Sequence, residues 1–253
     1  MSVSIIGLNV IYYMNDLIVN VQISDAMFFS KVEGYGSMID DLSDFKHSFV
    51  GGKIYGLIGE CGSGGWGLSS MLCGKDSARG CSVMVNGIQV SMSKMKEWGW
   101  YVGEGMEQSG RFYKEKSVIK QIRSGLKVTE KCDEDEIIKL FGLSDRQLGS
   151  KLSKLSFERW VASVAIGYAY DFRIYCFPWL NTACLNDLII DSRLHIYLDI
   201  LKQEGNIVII PTEKVELVEM IADEIIVIKN NRHDISPLVK KVIMDYHKNG
   251  PPI

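Results

Sequence analysis

The chain has 253 residues, of which 47% are hydrophobic and 23% are charged. This length suffices for one large domain without disulfide or metal cross-links, and the composition excludes intrinsic disorder and an integral membrane protein. A net charge of -3 argues against a nucleic-acid-binding surface. No apolar run approaches the roughly 18 residues of a membrane-spanning helix, and residues 1–6 lack the charged start of a signal peptide, so we expect a cytoplasmic protein.

The first third of the chain is dominated by strand patterns. Residues 5–13 and 19–21 are apolar, and a third apolar stretch at 53–58 ends in glycines and precedes a helical pattern. Residues 81–85 predict a further short strand, which Asn86 and Gly87 close with a tight turn. We therefore predict antiparallel strands beside a strand–loop–helix unit.

The middle of the chain, from residue 97 to residue 156, is polar and charge-mixed, with helical spacing of its apolar residues at 133–141. It predicts a helical segment inserted into the core. The last hundred residues alternate between strands and amphipathic helices, which predicts a mainly parallel sheet covered on both faces. The predicted strands are 173–177, 206–210 and 225–229, and the predicted helices are 191–203 and 214–223.

Six cysteines are scattered through the sequence without a C-x-x-C pair. They lie in or beside apolar segments, which favours reduced, buried side chains over a metal or redox centre. These residues are Cys61, Cys73, Cys81, Cys132, Cys176 and Cys184.

The most informative segment is the glycine-rich loop at residues 59–67, Gly-Glu-Cys-Gly-Ser-Gly-Gly-Trp-Gly. The backbone N–H groups of such a loop converge at a helix N-terminus and bind phosphate. Compared with G-x-x-x-x-G-K-[ST], the loop keeps its glycines, but Gly65 replaces the lysine and Trp66 replaces the metal-binding hydroxyl. Losing one charge-assisted contact costs about 1.5–3 kcal/mol of phosphate binding. A glycine turn that binds no ligand is the alternative interpretation.

From this loop onward the order of motifs resembles the nucleotide-binding subunits of ABC transporters. Residues 80–87 are similar to the second hairpin of that family, and residues 152–159 align with the signature L-S-G-G-Q and its helix. Residues 173–178 match the strand that ends in Asp-Glu-Pro, and residues 207–228 match the switch-histidine strand and the final strand. Order and spacing agree over roughly residues 30–232.

This resemblance implies an α/β fold, a P-loop NTPase (RecA-like) core with an antiparallel β subdomain and an inserted helical subdomain. The whole chain, 1–253, is then a single nucleotide-binding domain. Residues 1–96 form the β subdomain and the phosphate-loop part of the core, residues 97–157 the helical subdomain, and residues 158–253 the rest of the core.

The resemblance also assigns nucleotide-binding positions. Tyr35 corresponds to the aromatic residue that stacks on adenine, and Glu104 and Gln108 are alternative matches to the magnesium-sensing glutamine, because the register after Gly103 is ambiguous. The predicted nucleotide-binding residues are Tyr35, Gly59, Gly62, Ser63, Gly64, Gly65, Trp66, Gly67, Glu104 and Gln108.

The catalytic positions of the family have all changed in this sequence. Its metal-binding aspartate corresponds to Cys176, its catalytic glutamate to Phe177 and its switch histidine to Glu213. Together with Gly65 and Trp66, these are five losses from one phosphoryl-transfer reaction. Neither a magnesium ligand nor a carboxylate base remains there. Drift at a nonfunctional site also yields apolar residues, so each change has an alternative explanation as core packing.

The signature motif is altered as well. Lys154 and Leu155 replace its two glycines, which leaves Ser153 to approach the phosphate of a partner subunit. The predicted partner-facing residues are Leu152, Ser153, Lys154, Leu155 and Ser156.

The resemblance therefore implies a catalytically degenerate ATP-binding subunit of a bacterial ABC transporter, of the exporter type. Such a subunit pairs with an active ATPase subunit or with itself and docks on transmembrane subunits at the cytoplasmic face of the membrane, without nucleic acid. ATP binding is then weak at most, and bound magnesium is not expected. One alternative is a non-catalytic interaction scaffold with this fold that binds no nucleotide. Another is an active ATPase whose lysine and carboxylate converge on the loop from elsewhere.

Overall fold

The computed structural model describes residues 17–32, 36–76, 79–106, 115–191 and 194–228. One of its sheets is antiparallel, with the strand order β2-β1-β4-β5. Asn86 and Gly87, with φ angles of 49° and 79°, form the predicted turn between the last two strands. The strands of this sheet are β1 (Ile18–Val32), β2 (Gly36–Val50), β4 (Cys81–Val85) and β5 (Ile88–Val90).

The second sheet is fully parallel and has the strand order β6-β7-β8-β3-β9. The sequence predicted four of these strands to within a few residues. The fifth, β6, lies inside the segment 97–157, which the sequence predicts as the helical subdomain. The strands are β3 (Lys53–Ile58), β6 (Gly99–Tyr101), β7 (Ile174–Cys176), β8 (Ile207–Thr212) and β9 (Glu224–Val227).

Helices pack on both faces of the parallel sheet. The helix at Glu134–Phe141 begins where predicted, because Asp133 accepts the N–H of Glu136 and the Glu136 side chain accepts the N–H of Asp133. The helices are α1 (Gly65–Leu72), α2 (Val118–Thr129), α3 (Glu134–Phe141), α4 (Asp145–Gly149), α5 (Arg159–Ala169), α6 (Thr182–Asn186), α7 (Leu194–Gln203) and α8 (Val215–Val218). A π-helical turn at Asp187–Asp191 lies between α6 and α7.

The parallel sheet is buried on both faces because its side chains alternate between two apolar clusters. Ile54 and Tyr175 belong to the cluster that contains the buried side of α5. Tyr55 and Ile174 belong to the other cluster, with α1 and the antiparallel sheet. The antiparallel sheet therefore covers one face of the core and lies against the helix that follows the glycine loop.

Contacts to glycines hold the antiparallel sheet against the loop and α1. The backbone N–H of Asp41 donates to the carbonyl oxygen of Gly62 at 3.2 Å. A Cβ atom on Gly64 would lie 2.6 Å from the Cβ of Leu42, and a Cβ atom on Gly67 would overlap the Phe28 ring. Residues without side chains are thus needed where these strands cross the loop.

All six cysteines are free, as expected. Cys73 and Cys176 are buried, and Cys81, Cys132 and Cys184 are half-buried. Cys61 in the glycine loop is exposed, so the prediction of a buried side chain was wrong there. Within the part of the chain that the structure describes, no helix has both the length and the apolar composition to cross a membrane.

Replacing Gly67 by alanine tests the docking of the antiparallel sheet. The added methyl group would overlap the Phe28 ring, so we expect the free energy of unfolding to fall by about 1–3 kcal/mol in urea denaturation. Gly149→Ala is the matched control, because its added Cβ meets nothing within 4 Å. It should leave stability unchanged or raise it by up to about 1 kcal/mol. Equal effects of the two substitutions would contradict the described docking.

Candidate functional site

The glycine loop connects the carboxyl end of β3 to α1 in the geometry of a phosphate-binding loop. Gly64 caps the helix with φ 103° and ψ -8°, a left-handed conformation that favours glycine. The N–H and hydroxyl of Ser63 both donate to the carbonyl oxygen of Glu60, at 3.0 and 2.6 Å. The N–H of Gly59 donates to Thr212 at 3.0 Å, which fixes the loop to β8.

A carboxyl group of this chain lies at the helix end of the loop. Asp40 on β2 is only 1% exposed, and its Oδ2 atom accepts the N–H of Gly67 at 2.6 Å. The N–H groups of Gly64 and Trp66 also interact with this carboxyl. Its Oδ1 atom has no hydrogen-bond partner among the described residues. Asp40 thus occupies the position where a phosphate-binding loop presents its N–H donors.

The pKa of the Asp40 carboxyl is raised above its ordinary value chiefly by burial, although three backbone N–H donors act in the opposite direction. The charge of neighbouring Asp41 raises the pKa further. The folded protein therefore holds a proton at Asp40 more tightly than the unfolded chain does.

The indole ring of Trp179 also lies against the loop. Trp179, which follows β7, donates its Nε1–H to the carbonyl oxygen of Gly59 at 3.0 Å. Its Cδ1 atom lies 3.8 Å from the point where a side chain on Gly65 would begin. The space beside the position of the family's lysine is therefore bordered by an aromatic ring.

The Trp66 side chain is part of the core. It is 2% exposed and interacts with the Tyr101 hydroxyl, whose pKa is raised mainly by burial. Every residue from 63 to 70 is buried. The tryptophan at the hydroxyl position therefore faces the packed interior.

The two positions at the end of β7 are also core positions. Cys176 is fully buried beside Cys73, the pKa of whose thiol is raised by burial and by this neighbour. Phe177 is fully buried and packs against Trp160, with ring centroids 6.1 Å apart. Neither side chain supplies a carboxylate to the loop.

Glu213 follows β8 directly and is exposed. Burial first, and then the charges of Asp40 and Glu213, raise the pKa of the Cys61 thiol. Asp40 and Glu213, the residue at the predicted switch-histidine position, therefore both place acidic groups near Cys61.

Of the two predicted magnesium-sensing residues, the structure describes Glu104 but not Gln108. Glu104 forms an ion pair with Lys75, whose ammonium lies 5.6 Å from the centre of the Tyr101 ring. Glu104 and Lys75 line a cavity of about 220 Å³ beside β6. The lysine nearest to α1 in sequence is thus engaged with Glu104. Gln108 and Tyr35 lie outside the described residues.

The signature segment forms a single 3₁₀ turn at Leu152–Lys154. The N–H of Ser153 donates to a carboxylate oxygen of Glu115 at 3.0 Å, and the Ser153 hydroxyl donates to the other oxygen. Leu152 and Leu155 are buried, whereas Lys154 and Ser156 are exposed. The serine expected to approach a partner's phosphate is therefore bonded to a carboxylate of its own chain.

Sequence reasoning missed Asp40, Trp179 and Glu115. The sequence does indicate that Asp40 is buried, because strand periodicity places it on the same face as Leu42, which is buried. Trp179 and Glu115 reach their partners across 120 and 38 residues of sequence, and no local pattern indicates such contacts.

No protein-family model matches the chain, and no curated protein sequence matches it. Solved structures do match. A putative ABC transporter ATP-binding protein from Pyrococcus furiosus is 16% identical, with a TM-score of 0.57 over 83% of this chain and 97% of that one. The chain has the fold of ABC transporter ATP-binding subunits.

Two further structures agree with this fold. One is cbiO1 from Clostridium perfringens, part of the ABC transporter complex cbiONQ, which is 16% identical with a TM-score of 0.59 over 92% of this chain and 96% of that one. The other is the ATP-binding cassette MJ0796, whose dimeric structure contains ADP and Pi. It is 14% identical with a TM-score of 0.58 over 83% of this chain and 94% of that one. The predicted P-loop NTPase fold is confirmed.

This fold implies ATP and magnesium as ligands, but the described side chains do not fit them. The N–H of Gly67 is bonded to Asp40, Trp66 is packed in the core, and Cys176 lies where the metal-binding aspartate is expected.

The raised pKa of Asp40 predicts a specific pH dependence of stability. A carboxyl whose pKa is higher in the folded than in the unfolded state contributes its full stability below the unfolded value of about 3.9. This contribution is lost as the pH rises through the folded pKa. Relative to Asp40→Asn, the wild type should therefore lose unfolding free energy above about pH 4, by at most about 1.4 kcal/mol per pH unit.

Urea denaturation of both proteins between pH 4 and pH 7 measures this difference. Asp44→Asn is the matched control on the same strand, because Asp44 is exposed, and it should keep the pH dependence of the wild type. A difference between wild type and Asp40→Asn that stays constant, or that grows in favour of the wild type as the pH rises, would contradict the assignment.

Proposed function

We propose that this protein is a catalytically degenerate ATP-binding-type subunit of a bacterial ABC transporter, of the exporter type. It pairs with an active ATPase subunit and docks on transmembrane subunits at the cytoplasmic face of the membrane. The observation that carries this proposal is a preserved strand–loop–helix unit whose reactive positions are filled by Gly65, Trp66, Cys176 and Phe177. The fold supports a role in an assembly, and these residues argue against phosphoryl transfer.

The matching structures support a role within a complex. The cassette MJ0796 is dimeric, and cbiO1 is part of a transporter complex. By analogy, a partner's glycine loop would face the signature segment of this chain. There Ser153 is bonded to Glu115, and Lys154 is an exposed cation close to it. We propose that nucleotide binding in the pair depends on the partner's loop, and that any ATP bound by this chain's own loop is bound weakly and without magnesium.

The second candidate is a non-catalytic interaction scaffold that binds no nucleotide at all. The carboxyl groups on both phosphate-binding segments favour it, Asp40 at the loop and Glu115 at the signature turn. A fold does not by itself fix a function. The two candidates differ in their partners, since only the transporter subunit requires a membrane protein.

Hydrolysis by the purified protein tests catalytic degeneracy. We expect the release of phosphate from MgATP to be the same for the wild type and for Gly64→Ala. The added Cβ would lie 2.6 Å from the Cβ of Leu42 at a left-handed position and so disrupt the loop. Hydrolysis by the wild type at ordinary transporter rates that Gly64→Ala abolishes would refute the proposal.

Affinity purification from detergent-solubilised membranes of the source cells tests the partners. We expect an ATPase subunit with an intact loop lysine and a multispan membrane protein to copurify with the tagged chain. Recovery of the chain with soluble proteins only would refute the transporter role and favour the scaffold.

A further inference from the structure

We propose that the Asp40 side chain is an intramolecular substitute for a phosphate group, which closes the glycine loop to pyrophosphate-type anions. This goes beyond the proposed function, because the contact lies within one chain and holds for a transporter subunit and for a scaffold alike.

A carboxyl group can take the place of a phosphate group at this loop because both accept hydrogen bonds from backbone N–H groups. A phosphate at a helix N-terminus is held by backbone N–H donors and by the partial positive charge of the helix end. The Asp40 carboxyl uses the same donors, with Oδ2 2.6 Å from the N of Gly67 and with interactions to the N–H groups of Gly64 and Trp66. A bound phosphate and this carboxyl therefore compete for one set of hydrogen bonds.

Asp40 does not belong to the loop that it fills. The helix-capping residue Gly64 has no side chain, and Asp40 lies 27 residues before its partner Gly67, on a strand of the other sheet. The carboxyl is almost completely buried, and its Oδ1 atom has no hydrogen-bond partner among the described residues. Such a group is costly to bury, and the hydrogen bonds from the loop N–H groups offset part of that cost.

Packing around the carboxyl prevents simultaneous occupation. Leu42, on the same strand, is 2% exposed and contacts Gly64. Trp179 borders the loop beside Gly65. A phosphate group can reach the N–H donors only if the Asp40 side chain leaves. Removing that side chain should therefore open an anion site that the wild type lacks.

The test measures pyrophosphate binding by isothermal titration calorimetry on the full chain at constant ionic strength. Asp40→Ala should bind pyrophosphate at least tenfold more tightly than the wild type, and pyrophosphate should raise the melting temperature of the variant only. Leu42→Ala is the matched control, because it removes a buried side chain from the same strand but leaves the carboxyl in place. It should be destabilised and should gain no pyrophosphate binding.

If Asp40→Ala does not fold, Asp40→Ser replaces it, since the shorter polar side chain frees the same space. Binding of pyrophosphate to the wild type as tightly as to the Asp40 variant would overturn the proposal. So would equal gains in Leu42→Ala and the Asp40 variant, or the absence of binding to the folded Asp40 variant. None of these outcomes depends on the partners of the protein, so the proposed function is tested separately.

Discussion

The hydrogen bond from the Gly67 backbone to the Asp40 carboxyl is the contact on which the candidate site of this protein depends. It links β2 of the antiparallel sheet to the first turn of α1, and the backbone contact between Asp41 and Gly62 lies beside it. Gly64 and Gly67 leave no room for a side chain, because these strands cross the loop at short range. The same crossing buries the loop donors that a nucleotide would require.

Much of the fold follows from patterns visible in the sequence. The strand Lys53–Ile58 has the predicted bounds, and the Asn86-Gly87 turn and the Asp133 cap form as their residue types dictate. The short strand β6 has only three residues, which carry too little periodicity to be distinguished from a helical segment. These residues form a strand because they pair in parallel with β7, where Gly99 lies opposite Ile174, 75 residues away in sequence.

The candidate site was only half visible in the sequence. The missing lysine, hydroxyl and carboxylates are read directly from Gly65, Trp66, Cys176 and Phe177. Tertiary packing decides which groups lie at these positions instead. Trp66 and Phe177 are part of the core. Trp179 donates a hydrogen bond to the Gly59 carbonyl, and Asp40 reaches the loop from the antiparallel sheet. An acidic residue in a strand shows no sign of the distant donors that it will meet. Within the described residues, the backbone N–H of Gly67 is bonded to a side chain of the same chain, Asp40.

The most direct test of this account is a crystal structure of the wild-type protein grown with millimolar magnesium and a non-hydrolysable ATP analogue. The account predicts that the Asp40 carboxyl remains within hydrogen-bond distance of the Gly67 nitrogen and that no triphosphate lies over the glycine loop. A triphosphate bound to the N–H groups of Gly64 to Gly67, with Asp40 displaced, would contradict it.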